Sequence, residues 1–151
     1  MFSKILVPID GSESSNRALD KAIRIGKQFN SEIYVLSVTP EINMVRFTAS
    51  TSQYDATVNQ EVINVTMEIL EEAKAKFSDY PFPFYSNYVV GDAAREILNF
   101  AKDQEINLII MGNRGMGAFS RTILGSVSNK VVNSSPVSVL VVKDALWYII
   151  S

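Results

Sequence analysis

Five short apolar runs separated by four stretches of helical spacing constrain this chain more than any other feature of its sequence. KILVPID (Lys4 to Asp10), EIYVLSV (Glu32 to Val38), FYSNYVV (Phe84 to Val90), INLIIM (Ile106 to Met111) and VSVLVV (Val137 to Val142) are rich in β-branched and aromatic residues. Gly, Pro or Ser lies close to the ends of these runs, so each is a strand. Between the first two, SESSNRALDKAIRIGKQF sets Ala18, Ala22, Ile25 and Phe29 at helical spacing behind a Ser/Glu start. EVINVTMEILEEAKAKF (Glu61 to Phe77) and AAREILNFAKDQ (Ala93 to Gln104) repeat the pattern, the latter behind Asp92 as N-cap. A fourth helix is expected from about Thr122 to Asn133, ahead of Pro136. The polar, Ser/Thr-rich stretch from Thr48 to Asn59 is expected to be a mobile loop.

The resulting order, βαβαβαβαβ, has strands that are apolar on both faces. Such strands are buried on both sides, which calls for a parallel sheet with helices on each face, an α/β doubly wound domain. At 151 residues the chain fits one domain, residues 1–151, with a core that needs no staples. Two strand orders suit five strands, 3-2-1-4-5 and 2-1-3-4-5. The first sets β1 beside β4 where the winding reverses, and ligands of open α/β sheets bind at that point. VPIDGS, at the end of β1, and MGNRGMG, at the end of β4, then face one crevice although about a hundred residues separate them.

Composition excludes several function classes. The chain has no Cys and no His, so it has neither thiolate chemistry nor the commonest general base and metal ligand. A formal charge of −2 offers no field for nucleic acid or an anionic membrane, so neither is an expected partner. No segment reaches the roughly 18 consecutive apolar residues of a membrane span, and the N-terminus lacks the pattern of a secretory signal. A cytoplasmic location is the expectation.

An anion must therefore be held locally, and the stretch from Met111 to Val131 has the means. Gly112, two residues, Gly115, nine residues, Gly125 and Ser126 follow β4 and lead into the fourth helix, with Gly117 in addition. Glycine allows positive φ and close approach to the backbone, while a helix N-terminus offers unpaired N–H groups. That combination holds phosphate. Gly112 and Gly115 are expected to bend around a polyphosphate, with Gly125, Ser126 and Val127 presenting amides and a hydroxyl. Arg114, Arg121 and Lys130 are candidates for added charge. The pattern is neither GxxxxGK[ST] nor a GxGxxG after a first strand. A flexible loop, with Gly125 serving close packing only, is the competing reading.

Taken together, KILVPIDGSESSNRAL, VVGDAAREIL, INLIIMGNRGMGAFSRTILGSVSNKVV and SSPVSVLVV resemble the universal stress protein family over nearly the whole chain. The spacing G-2x-G-9x-G-S is similar to that of the family's ATP-binding branch. The resemblance implies a Rossmann-like five-stranded domain that forms dimers and binds ATP with a divalent cation, Mg2+ or Mn2+, held mainly through the phosphates. It implies that backbone near Pro8, Ile9 and Val38 flanks the adenine. It also puts Met111, Gly112, Arg114, Gly115, Gly125, Ser126 and Val127 around the nucleotide, with Asp10 taking a ribose hydroxyl or a metal-bound water. Asp10 also has a plainer reading as a cap or turn carboxylate ahead of the first helix. Asn113-Arg114 and Asn107 are slight departures from the family pattern, and neither removes a phosphate donor.

VSVLVV carries no charge or Pro to discourage pairing, so as an edge strand it is expected to join a symmetry mate into a homodimer, as the resemblance also implies. The apolar tail ALWYII (Ala145 to Ile150) is the rival cover for that edge. It is expected to pack on its own subunit or the mate rather than recruit another protein. With no catalytic residues assigned, the expected function is an ATP-dependent regulator in the stress response, acting on a protein partner that the sequence leaves unidentified. The alternatives are a slow ATPase, a phosphotransferase modifying itself at Ser126 or Ser128, or a binder of another adenine nucleotide.

Overall fold

Strands β1 (Lys4–Pro8), β2 (Glu32–Thr39), β3 (Phe84–Val90), β4 (Leu108–Gly112) and β5 (Ser138–Val142) pair in parallel in the order β3-β2-β1-β4-β5. Of the two orders that the alternation allowed, this is the one that sets β1 against β4. The computed structural model describes residues 1–40, 52–114 and 124–143, with backbone alone over 52–59. Register is fixed by apolar side chains: Ile5 lies opposite Ile33 on one side and Leu108 on the other, and Ile109 lies opposite Val139. Ile5, Leu6, Ile33, Leu36, Ile109 and Ile110 are fully buried, as strands covered on both faces require.

The helices are α1 (Glu13–Phe29), α2 (Ser52–Ala75), α3 (Ala93–Asp103) and α4 (Ser126–Ser134). One core lies on the face covered by α1 and α2 and gathers Ile5, Val7, Leu19, Ile33, Val35 and Leu70. The other, on the face of α3 and α4, gathers Leu6, Leu36, Ile97, Ile109, Met111 and Val131. Because side chains alternate along a strand, neighbouring residues of β1 feed different cores. Within α1, Ala18, Ala22 and Gly26 keep the buried face narrow, and a Cβ on Gly26 would collide with the Tyr80 ring. The Tyr80 hydroxyl donates to the Ser31 carbonyl at 2.6 Å, closing the turn after α1.

Most boundaries move by one or two residues from the sequence reading, and three changes bear on the site. Helix α2 begins at Ser52, so part of the stretch expected to be a mobile loop is helical; residues 41–51 lie outside the described residues. The apolar periodicity that marked Glu61 reports where the helix meets the sheet, and an established helix extends into polar sequence at little cost. Strand β4 runs one residue further, through Gly112. Helix α4 begins at Ser126 with Gly125 as N-cap, and 115–123 lie outside the described residues. Phe29, expected on the buried face of α1, is 44% exposed and meets the Phe2 ring edge-on.

Candidate functional site

The carboxyl ends of β1 and β2 leave the sheet together. Ile9, buried, donates its amide to the Leu36 carbonyl at 2.9 Å and so carries the pairing one step past Pro8. The chain then turns at Gly11, whose φ of +84° favours glycine. Asp10 Oδ1 accepts from the Ser12 amide at 2.9 Å, and the N-cap of α1 is Ser12, whose hydroxyl accepts from the Ser15 amide. Capping therefore falls to Ser12, while Asp10 is an exposed carboxylate in the turn before it.

Asp10 also lines a cavity of about 420 Å³ between the ends of β1 and β2 and helix α2. Ser37, Val38 and Thr39 form its β2 wall, and Val62 and Ile69 belong to its α2 wall. Two residues that the sequence nominated, Asp10 and Val38, thus come together in one space. Pro8 is half-buried behind it. Helix α2 is tied to β2 through the Thr39 and Thr66 hydroxyls, 3.1 Å apart, and the Thr66 hydroxyl donates to the Val62 carbonyl at 2.9 Å.

The end of β4 is built differently from the expectation. Gly112 has no positive φ; a Cβ there would stand 2.7 Å from the Ser14 carbonyl carbon and 2.8 Å from its oxygen. It is glycine because the first turn of α1 lies directly on it, not because the chain bends there. Next in the chain, Asn113 is 1% exposed, and its Oδ1 accepts from the Ser14 hydroxyl at 3.1 Å. Ser14 Oγ in turn accepts from the Arg114 amide at 3.4 Å. The Met111 side chain belongs to the core of the α3 and α4 face.

Helix α4 is docked against the same strand end. The Ser128 hydroxyl, buried, donates to the Gly112 carbonyl at 2.8 Å, and the Gly125 amide donates to the Asn113 carbonyl at 2.6 Å. The Gly125 N–H is therefore engaged, which corrects the expectation that it faces a ligand. The amides of Ser126, Val127 and Ser128 have no acceptor inside the helix, and among the described residues no side chain caps this end. Ser126 is exposed and Val127 half-buried. Gly115 and Arg121 lie outside the described residues, and Lys130 is exposed on α4.

Sequence reasoning gave Ser14, Asn113 and Ser128 no part in fastening the ends of α1, β4 and α4 to one another, which is what they do. The signal was present in Asn113, a polar residue directly after the apolar run of β4, where a side chain is buried and needs a partner.

Comparison with known proteins agrees with this fold. The model of the universal stress protein family matches residues 1–143. The chain belongs to the universal stress protein family. Universal stress protein YxiE of Bacillus subtilis is 35% identical over 148 residues, covering 95% of this chain and all of the relative. Universal stress protein MJ0577 of Methanocaldococcus jannaschii has a solved structure that superposes with a TM-score of 0.82 at 30% identity, covering 95% of this chain and 97% of that one. A universal stress protein solved in complex with cAMP superposes with a TM-score of 0.69 at 25% identity, covering 93% and 96%. The five-stranded Rossmann-like sheet is thus a universal stress protein fold, and nucleotide binding occurs among its structural relatives. Among the described residues no helix is long and apolar enough to cross a membrane.

Proposed function

We propose that this chain is an ATP-binding universal stress protein that works as a nucleotide-dependent regulator in the cytoplasm. One observation carries the reading: the cavity beside Asp10 and Val38 and the uncapped N-terminus of α4 stand at the ends of paired strands. An apolar space with a few polar groups suits a nucleoside, and a bare helix N-terminus suits phosphate. In this reading the base lies against the backbone of Pro8, Ile9 and Val38, and Asp10 takes a ribose hydroxyl. The phosphates reach the amides of Ser126 and Val127, with Arg114 and Gly115 beside them. Among the described residues no three acidic side chains gather as metal ligands. Mg2+ or Mn2+ is accordingly carried by the phosphates, with Asp10 holding one of its waters.

Regulation follows if bound nucleotide changes the surface offered to a protein partner. Homodimers form through the edge of β5. The self-phosphorylating alternative falls on Ser126, which is exposed, because the Ser128 hydroxyl is buried against the Gly112 carbonyl. Binding of another adenine nucleotide is favoured by the cAMP-bound relative.

The test is the thermal midpoint of nucleotide-free protein with ATP and Mg2+. Saturation at a hundred times Kd stabilises the fold by about 2.7 kcal/mol, a shift of roughly 5 to 10 °C. Gly125→Arg should fold and lose the shift. Absence of a shift in the parent protein would end the ATP reading, and phosphate release faster than about one per second would favour the enzyme.

A further inference from the structure

Three hydroxyls, those of Ser37, Thr39 and Thr66, line the cavity and belong to buried residues. Their protons can be accounted for one by one. Thr66 donates to the Val62 carbonyl, so in the pair 3.1 Å apart it is Thr39 that donates to Thr66. Ser37, 4% exposed, has no hydrogen-bond partner for its side chain among the described residues. It shares strand parity with Thr39, whose side chain meets α2, so it too points from β2 toward the helix and the cavity. A buried hydroxyl without a partner destabilises the free protein, and buried polar groups are otherwise almost always paired.

The surroundings say what kind of atom would pair it. Val62, Val65 and Ile69 of α2 make the space apolar, while Asp10 and Glu61 are the acidic groups lining it. Carboxylates repel phosphate, so the cavity favours the uncharged part of a nucleotide. A volume of about 420 Å³ is within the range of pockets that enclose small organic ligands. The free proton of Ser37 seeks an acceptor, and a purine base offers ring nitrogens.

We infer that Ser37 is a specificity-determining residue whose hydroxyl donates to a ring nitrogen of a bound purine. The inference rests on the nucleotide reading given above and adds to it the group that distinguishes one base edge from another. It has a consequence that packing alone does not produce: removing the hydroxyl stabilises the empty protein and weakens the liganded one.

The experiment measures Kd by calorimetry for ATP and for its 1-deaza, 3-deaza and 7-deaza analogues, in the parent protein and in Ser37→Ala, with the thermal midpoint of each free protein. The expected result is a loss of roughly tenfold in ATP affinity for Ser37→Ala. One deaza analogue should bind the parent equally weakly and be indifferent to the substitution. The midpoint of free Ser37→Ala should equal or exceed that of the parent. Unchanged ATP affinity in Ser37→Ala, or an equal loss on every analogue, overturns the role of Ser37. Failure of the parent to bind ATP at all overturns the nucleotide reading instead. Ser37→Thr, which keeps a donor, should retain discrimination against the same analogue if the contact is direct.

Discussion

The Ser14 hydroxyl donates to Asn113 Oδ1 at 3.1 Å across 99 positions of sequence, and both residues are buried. This bond fastens the first turn of α1 to the residue leaving β4. The Asn113 carbonyl meanwhile accepts from Gly125, where α4 begins. Two helix N-termini and the end of β4 are thus positioned through one asparagine.

Replacing Asn113 with Ala should leave Ser14 without its acceptor and destabilise the fold by about 1–3 kcal/mol. Urea denaturation measures it. Adding Ser14→Ala should cost less than the sum of the two single changes, because residues in one hydrogen-bonded network are not additive. Strict additivity would show that the bond contributes nothing to the folded state.

Gly112→Ala distinguishes a packing glycine from a hinge. The added methyl would press on Ser14 backbone at 2.7 and 2.8 Å, and backbone cannot rotate out of the way. Overpacking of this kind typically costs about 1–3 kcal/mol. Alanine in place of glycine within a strand otherwise stabilises by roughly 0.5–1 kcal/mol. A lowered denaturation midpoint is therefore expected, and a raised one would mean that α1 can withdraw from β4.

These contacts mark where the sequence was legible and where it was not. Every strand begins within two residues of its apolar run, because burial on both faces leaves a continuous signal in the chain. Switch-point logic pointed to Asp10 at the end of β1, and the family resemblance to Val38 at the end of β2; both line the cavity beside α2. The reason for Gly112 was hidden, since a requirement for space comes from Ser14 on a distant element. The first turns of α2, SQYDATVNQ, carry no apolar stripe, and only their continuity with the buried part makes them helix. Ser37 read as one more residue of a strand, because the absence of a hydrogen-bond partner is visible only in three dimensions.

Alkaline stability should depend on Tyr80. Burial pushes its phenol from 10.0 up to about 12, and its hydroxyl donates to the Ser31 carbonyl. A phenol whose folded pKa lies above its unfolded one contributes stability that is complete below pH 10.0 and lost as pH rises toward about 12. Burial, followed by Glu32 and Tyr85, raises Tyr34 as well, so part of the decline belongs to it. Tyr80→Phe should lower stability at pH 7 by about 1 kcal/mol and flatten, without abolishing, the fall above pH 10. An unchanged alkaline slope in urea titrations would remove Tyr80 from the account.

Strand β5 closes the sheet on one side, with Leu140 37% exposed and no charged residue from Ser138 to Val142. An edge of this kind invites pairing, and a charge placed within it blocks approach of a second strand. If the homodimer forms through β5, light scattering should give twice the 16.8 kDa chain mass for the parent protein and the single mass for Leu140→Lys. Leu140 is partly solvated already, so the substitution should unfold nothing, which far-UV circular dichroism checks. A dimer that survives Leu140→Lys would move the interface away from β5. The competing cover, the tail from Ala145 to Ile150, lies outside the described residues and is separated by its own deletion: loss of dimer on truncation with Leu140→Lys still dimeric assigns the interface to the tail.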